Sequence, residues 1–262
     1  MLGEYAFLRF LKPIGFALCA AMLGMAAFAP LAADAMTVQP VVLDLSAVGR
    51  GMSQVVTVEN TFTNPLPVEM RIEGLTFDDK GAHGDGKDPG DLLVFPPSAL
   101  IQPGQTQTFR VQYVGDPGLM KSKHYYVTVA QLPVKLPEGQ SAIQILYNFQ
   151  VLVSVAPQGV KPNLRVIGAT IGKNDQGKPV PVITVTNDSN AHGYLSQGHL
   201  RIVETDGTGK QIFARTMPGP EIQQTIGFGL VTAGQSRKIT VPMVLPSDGG
   251  TVAAQFTPEG PR

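Results

Sequence analysis

The chain has 262 residues, with 20 basic and 20 acidic side chains and so no net formal charge. That balance argues against a general binder of nucleic acid or of anionic membranes. One cysteine excludes a disulfide scaffold and a cysteine zinc site, 43% hydrophobic residues exclude a disordered chain, and 29 Gly with 22 Pro speak against a helical one.

Residues 1–35 read as an address. Arg9 and Lys12 are their only basic groups, and no charge follows from Pro13 to Ala33. Ala33-Asp34-Ala35 puts small residues where a signal peptidase reads, so cleavage is expected after Ala35. The apolar run also approaches bilayer length, which makes an uncleaved anchor the competing reading. Cys19 follows Leu18 in the middle of that run, which does not fit a lipoprotein. A chain starting at Met36 has no cysteine and belongs in an exported compartment, the bacterial periplasm.

From Thr37 the hydrophobic period is two, with turn residues about every ten positions. The alternation predicts strands over 37–45, 52–59, 66–72, 92–95, 106–113, 125–132 and 141–155, with a polar loop over 78–91. Pro157, Gly159 and Pro162 read as a linker. Beyond it, strands are expected over 164–171, 180–185, 200–204, 211–214, 239–245 and 251–256, and Asn187-Asp188-Ser189 reads as a turn. No segment carries a capped helical stripe. The pattern predicts an all-β protein of two immunoglobulin-like β-sandwiches, residues 36–157 and 158–262.

The chemistry-bearing motifs are weak. Gly81 to Lys87 matches the front of a phosphate-binding loop, but Asp88 stands where Ser or Thr would hold magnesium, and Pro89-Gly90 disfavours a following helix. Asp78, Asp79, Asp85, Asp88 and Asp91 lack the spacing of a calcium loop, so a solvated hairpin is the simpler reading. His83, His124, His192 and His199 show no metal-ligand spacing, and neither a GxSxG elbow nor a cysteine nucleophile remains after residue 36. We expect no catalytic residue, no metal and no cofactor.

The informative stretch is 141–155. Ile143, Ile145, Tyr147, Phe149, Val151, Val153 and Val155 occupy its odd positions and so share one face of a strand. Two readings stand: a central strand whose odd face fills its own core, or a strand that offers that face to a partner lacking one.

Several phrases, in order, resemble the periplasmic chaperones of chaperone–usher pili. They are Pro40-Val-Val-Leu, Val56-Thr-Val-Glu-Asn60, Leu93-Val-Phe-Pro-Pro97, Pro103-Gly-Gln, Phe109-Arg-Val-Gln-Tyr113 and Tyr126 to Pro133, then the 143–155 strand. Val185-Thr-Asn187 and Ala233 to Arg237 extend the likeness into the second half.

The resemblance implies two immunoglobulin-like domains set as a boomerang and a non-enzymatic role. Such a chaperone binds, folds and caps pilus subunits by lending its G1 strand, and delivers them to an outer-membrane usher. By this likeness G1 is about 142–155, its donor residues are Ile143, Ile145, Tyr147 and Phe149, and the partners are pilus subunits and the usher. No nucleic acid is expected, and no membrane insertion after signal cleavage.

The basic residues with which familiar members hold the subunit's C-terminal carboxylate align near Val42 and Leu152, and a common interdomain salt bridge near Gln131 and Ala156. None of these four positions is charged. The chain is therefore similar to divergent, archaic-type members, with Arg110, Lys121 and Lys123 as substitute carboxylate anchors. A short loop before G1 and no cysteine there set aside the subclass with a disulfide beside that loop. A secreted structural or adhesive two-domain protein is the alternative.

Overall fold

The computed structural model describes residues 36–78, 81–134 and 145–259. The signal-peptide expectation for residues 1–35 and the donor residue Ile143 lie outside them. The first half holds β1 (Met36–Gln39), β2 (Val42–Ser46), β3 (Ser53–Asn60), β4 (Leu66–Asp78), β5 (Gly81–Gly84), β6 (Leu92–Phe95), β7 (Ser98–Ile101), β8 (Thr106–Tyr113), β9 (Lys123–Gln131) and β10 (Asn148–Ala156). One sheet has the order β1-β3-β8-β6, the other β2-β10-β9-β4-β5 with β7 also on β4. The chain changes sheet at Pro40, which has no N–H to give to either ladder. Because alternate residues face inward, Val56, Val58, Phe109, Val111 and Tyr113 of one sheet meet Val127, Val129, Val151, Val153 and Val155 of the other, all buried.

The second half holds β11 (Leu164–Lys173), β12 (Pro179–Asn187), β13 (Gly193–Tyr194), β14 (Gly198–Thr205), β15 (Gln211–Met217), α1 (Gly219–Ile226), β16 (Leu230–Val231), β17 (Ser236–Thr240) and β18 (Thr251–Pro258). Its sheets run β11-β12-β17 and β15-β14-β18, with β13 and β16 as a separate pair. Ile183, Val185, Leu200, Ile202, Met217 and Ile222 form its core. The fold is all-β, two immunoglobulin-like sandwiches.

The strand expected over 37–45 is split into β1 and β2; β7, β13 and β16 are short strands not expected; and three further elements differ. The 78–91 stretch opens as a hairpin, with β5 paired back on the end of β4. The strand expected over 239–245 ends at Thr240, because Pro242 cannot donate to a ladder, although Val241 and Leu245 still bond to Pro181 and Pro179. The helix α1 escaped notice because it is eight residues long, has no side-chain N-cap and buries only Gly219 and Ile222.

Both domains repeat one corner. Asn60 ends β3 fully buried, its Nδ2 donating to Ile101 O (2.8 Å) and Asn64 O (2.9 Å) and its Oδ1 accepting from Phe62 N–H (2.9 Å). Asn187 ends β12 fully buried and donates to Ala191 O (2.7 Å) and Val231 O (3.1 Å). Each corner meets a Gly-Gln turn: Asn60 N–H bonds to Gln105 O, Asn187 N–H to Gln235 O, and Gly104 and Gly234 take positive φ there. Replacing Asn60 with Ala strands a buried N–H and two carbonyls. The expected loss is about 3 kcal/mol in a urea-unfolding comparison; a loss below 1 would show that the corner is held otherwise.

Candidate functional site: an open strand edge and the cleft beside it

β10 is bordered on one edge by β9 throughout, antiparallel from Asn148↔Ala130 to Val155↔Lys123. On its other edge β2 runs parallel, but only from Leu152↔Val42 to Ala156↔Ser46. Among the described residues, nothing pairs with that edge over 148–151. The direction of its main-chain groups follows from two bonds. Gln131 N–H reaches Tyr147 O (3.0 Å) on the β9 side, and Leu152 N–H reaches Val41 O (3.0 Å) on the β2 side. Odd residues thus bond to β9 and even ones to the other edge, so the N–H and C=O of Asn148 and Gln150 face the open edge.

The odd side chains change environment along the same strand. Val151, Val153 and Val155 are fully buried. Phe149 is half-buried against the core, Tyr147 is 39% exposed and Ile145 is 69% exposed. Leu146, on the other face, is exposed as well. The core-facing reading of this stretch therefore holds from Val151 onward, and the residues before it leave the same face uncovered. The expected strand over 142–155 is also shorter among the described residues. It begins at Asn148, with 145–147 continuing without a ladder and Gln131 Oε1 accepting from Tyr147 N–H (3.2 Å).

At the other end of β10 the domains meet around a cleft of about 850 Å³, lined by Phe77, Lys121–Tyr126 and Leu152 from the first domain and by Phe228–Ala233 and Gln235–Arg237 from the second. Behind its Ser122 and His124 the two domains are bonded to each other. Asp44 Oδ1 accepts from His192 Nε2–H (3.0 Å) and from Tyr194 O–H (2.9 Å). Ser122 Oγ accepts from His192 N–H (3.0 Å) and lies 2.9 Å from His192 Nδ1. Ser154 Oγ lies 3.0 Å from Tyr194 Oη and 2.9 Å from His124 Nδ1.

One proton order satisfies the chain: His124 Nδ1–H to Ser154, Ser154 O–H to Tyr194, Tyr194 O–H to Asp44. His124 Nε2 is then a buried lone pair without a partner. Burial first, and the neighbouring His192 second, lower the His124 pKa to about 3 against a weaker pull from Asp44. Burial likewise pushes the Tyr194 hydroxyl up, with Asp44 adding to it. His124 and His192 stack edge to face at 5.2 Å, and Phe77 and Tyr194 extend the row.

The expected anchors separate. Arg110 is exposed on the outer face of β8, opposite Val55 and Phe95 and away from the cleft lining. Lys123 lines the cleft but holds Asp91 at 2.8 Å. Burial works against the Asp91 charge, yet hydrogen bonds from Lys123 and from Tyr125 (2.7 Å) outweigh it and hold its pKa below the ordinary carboxylate range. Lys121 lines the cleft, and its Nζ lies 3.5 Å from where a Cβ on Gly234 would stand.

Val42 and Leu152 do stand opposite each other, both apolar. Gln131 and Ala156 do not form a pair of positions: they lie at opposite ends of β10, because antiparallel pairing carries the chain from Tyr147 beside Gln131 to Ala156 beside Ser46. The Asp44, His192, Tyr194 and Ser154 network joins the domains instead. Sequence reading missed it because its members are up to 150 positions apart. Among the described residues no group of three or more His, Cys, Asp or Glu could hold a metal, and no helix is long and apolar enough to cross a membrane.

Residues 36–161 match the family model described as "Pili and flagellar-assembly chaperone, PapD N-terminal domain". Residues 36–161 thus carry the N-terminal domain of that chaperone family. No curated protein sequence matches the chain. Solved structures similar to it include a chain of the CsuC–CsuE chaperone–tip adhesion subunit pre-assembly complex from archaic chaperone-usher Csu pili of Acinetobacter baumannii, with 13% identity, TM-score 0.47, 84% of this chain and 97% of that one covered. A chain of the Salmonella enterica SafA pilin–SafB chaperone complex is similar at 15% identity and TM-score 0.48, covering 86% and 97%. The E. coli chaperone DraB gives 15% identity and TM-score 0.47, covering 86% and 96%.

Proposed function

We propose that this protein is a periplasmic chaperone that binds, folds and caps pilus subunits by donor-strand complementation, then delivers them to an outer-membrane usher. One observation carries the reading: a single strand face passes from full burial at Val151 to 69% exposure at Ile145, beside an unpaired main-chain edge. An exposed apolar edge invites another strand, and each apolar side chain it buries contributes roughly 1.5–3 kcal/mol. Ile145, Tyr147 and Phe149, with Ile143 before them, are the donor residues in this reading.

Lys121 is the best-supported anchor for a subunit carboxylate. It lines the cleft next to β10 and, unlike Lys123, has no carboxylate at ion-pair distance among the described residues. Val55, Leu93 and Phe95 expose an apolar patch around Arg110 on the opposite sheet, a surface that a subunit on β10 leaves free for the usher. No step of this role needs a catalytic residue or a cofactor.

Native mass spectrometry of the protein purified from its own periplasm tests the proposal. The expected species is a one-to-one complex with a small pilus subunit, the chaperone starting at residue 36. A bare monomer, with the pilus genes expressed, would overturn the chaperone role and favour a structural two-domain protein.

A further inference from the structure

The exposed head of β10 is not left to itself. Tyr147 forms the last pair with Gln131, but only half of that pair is main chain. Gln131 N–H donates to Tyr147 O (3.0 Å), while Tyr147 N–H donates to the Gln131 side-chain Oε1 (3.2 Å) where a regular ladder would use the backbone carbonyl. The Tyr147 ring lies 5.8 Å from the Phe62 ring, tilted by 41°. Phe62 in turn packs on the first-domain core, and its N–H is fixed by the buried Asn60 Oδ1.

We propose that Gln131 and Phe62 are positioning residues that clasp Tyr147 and so hold residues 145–147 extended at the mouth of β10 before a subunit arrives. This rests on the donor-strand reading above. The physical need is plain. Residues 145–147 are exposed and have no strand beyond them among the described residues, so a free chain there would lose its backbone freedom at the moment of binding. A clasp at Tyr147 meets part of that cost within the chaperone's own fold. It also grades the odd face: the valines after Phe149 stay in the chaperone core, half-buried Phe149 and clasped Tyr147 keep an exposed side for a partner, and Ile145 is the most exposed of these donor residues.

The test uses the mature protein and three variants, Gln131→Leu, Gln131→Glu and Phe62→Ala. Glu keeps an acceptor oxygen for Tyr147 N–H, and Leu does not. By NMR, the Tyr147 amide of the wild type is expected to be protected from hydrogen exchange. It should exchange at least tenfold faster in Gln131→Leu and at the wild-type rate in Gln131→Glu. With the pilus subunit that copurifies with the wild type as the probe, co-produced recovery should fall about fivefold in Gln131→Leu and Phe62→Ala, the equilibrium effect of one net hydrogen bond or ring contact. It should hold in Gln131→Glu, with the melting temperature of both Gln131 variants unchanged. A wild-type Tyr147 amide that exchanges as in an unfolded chain overturns the clasp, as does full recovery with Gln131→Leu. Ile145→Asp in the same experiment separates the two ideas. If it alone loses the subunit, the clasp fails and the donor strand stands; if every variant retains the subunit, both fail.

Discussion

Ile145→Asp is expected to leave the isolated protein as stable as the wild type and to abolish subunit retention. Ile145 is 69% exposed, so a carboxylate there stays in water and the free fold changes by about 0.5 kcal/mol at most. In a complex the same carboxylate would enter an apolar groove with no partner, at a cost of at least roughly 4 kcal/mol. That is about a thousandfold in affinity.

Val153→Asp is the paired control. Val153 shares the odd face but is fully buried between β9 and β2, so its charge should unfold the first domain. Thermal melting and co-purification together read both variants. Loss of folding in Ile145→Asp, or undiminished subunit recovery with it, would sink the donor-strand role.

The contrast between those two valine-and-isoleucine positions marks where sequence reading stops. Period two puts the odd residues of 143–155 on one face, and the phrases ending at Asn60 and Asn187 carried the resemblance without showing that both side chains are buried corners. Periodicity cannot tell which part of a face is covered, because coverage depends on where β2 ends. That strand pairs with β10 only from Leu152 onward, and its start is set by the sheet change at Pro40.

The cleft was less legible still. Four scattered histidines gave no motif, yet the fold brings His124 and His192 within 5.2 Å and links them through Ser154, Tyr194 and Asp44. The charged residues that were legible proved to face different ways, Arg110 outward and Lys121 into the cleft. Side-chain chemistry alone could not sort them.

The junction carries the second large effect, a loss of stability in mild acid. The folded protein holds His124 neutral, with a pKa of about 3 against 6.5 for a free histidine. The unfolded chain therefore takes up a proton below pH 6.5 that the folded one refuses. The stabilisation is complete above pH 6.5 and is lost as pH falls toward 3, at about 1.4 kcal/mol per pH unit. Asp91, whose pKa is lowered, adds its own acid loss, but only as pH falls below its ordinary value of 3.8.

The window from pH 6.5 to 4.5 lies above the Asp91 range, and across it the His124 shift should cost about 2–3 kcal/mol. Protonation at Nε2 would also place charge beside His192 and turn the partnerless lone pair into a buried N–H donor without an acceptor, while Nδ1–H keeps its bond to Ser154. Urea unfolding across that window, compared with His124→Leu, reads the effect. The variant should be less stable at pH 7, having lost its bond to Ser154, but its stability should fall more gently with acid by about one bound proton. Parallel slopes for the two proteins would show that His124 is not the group responsible.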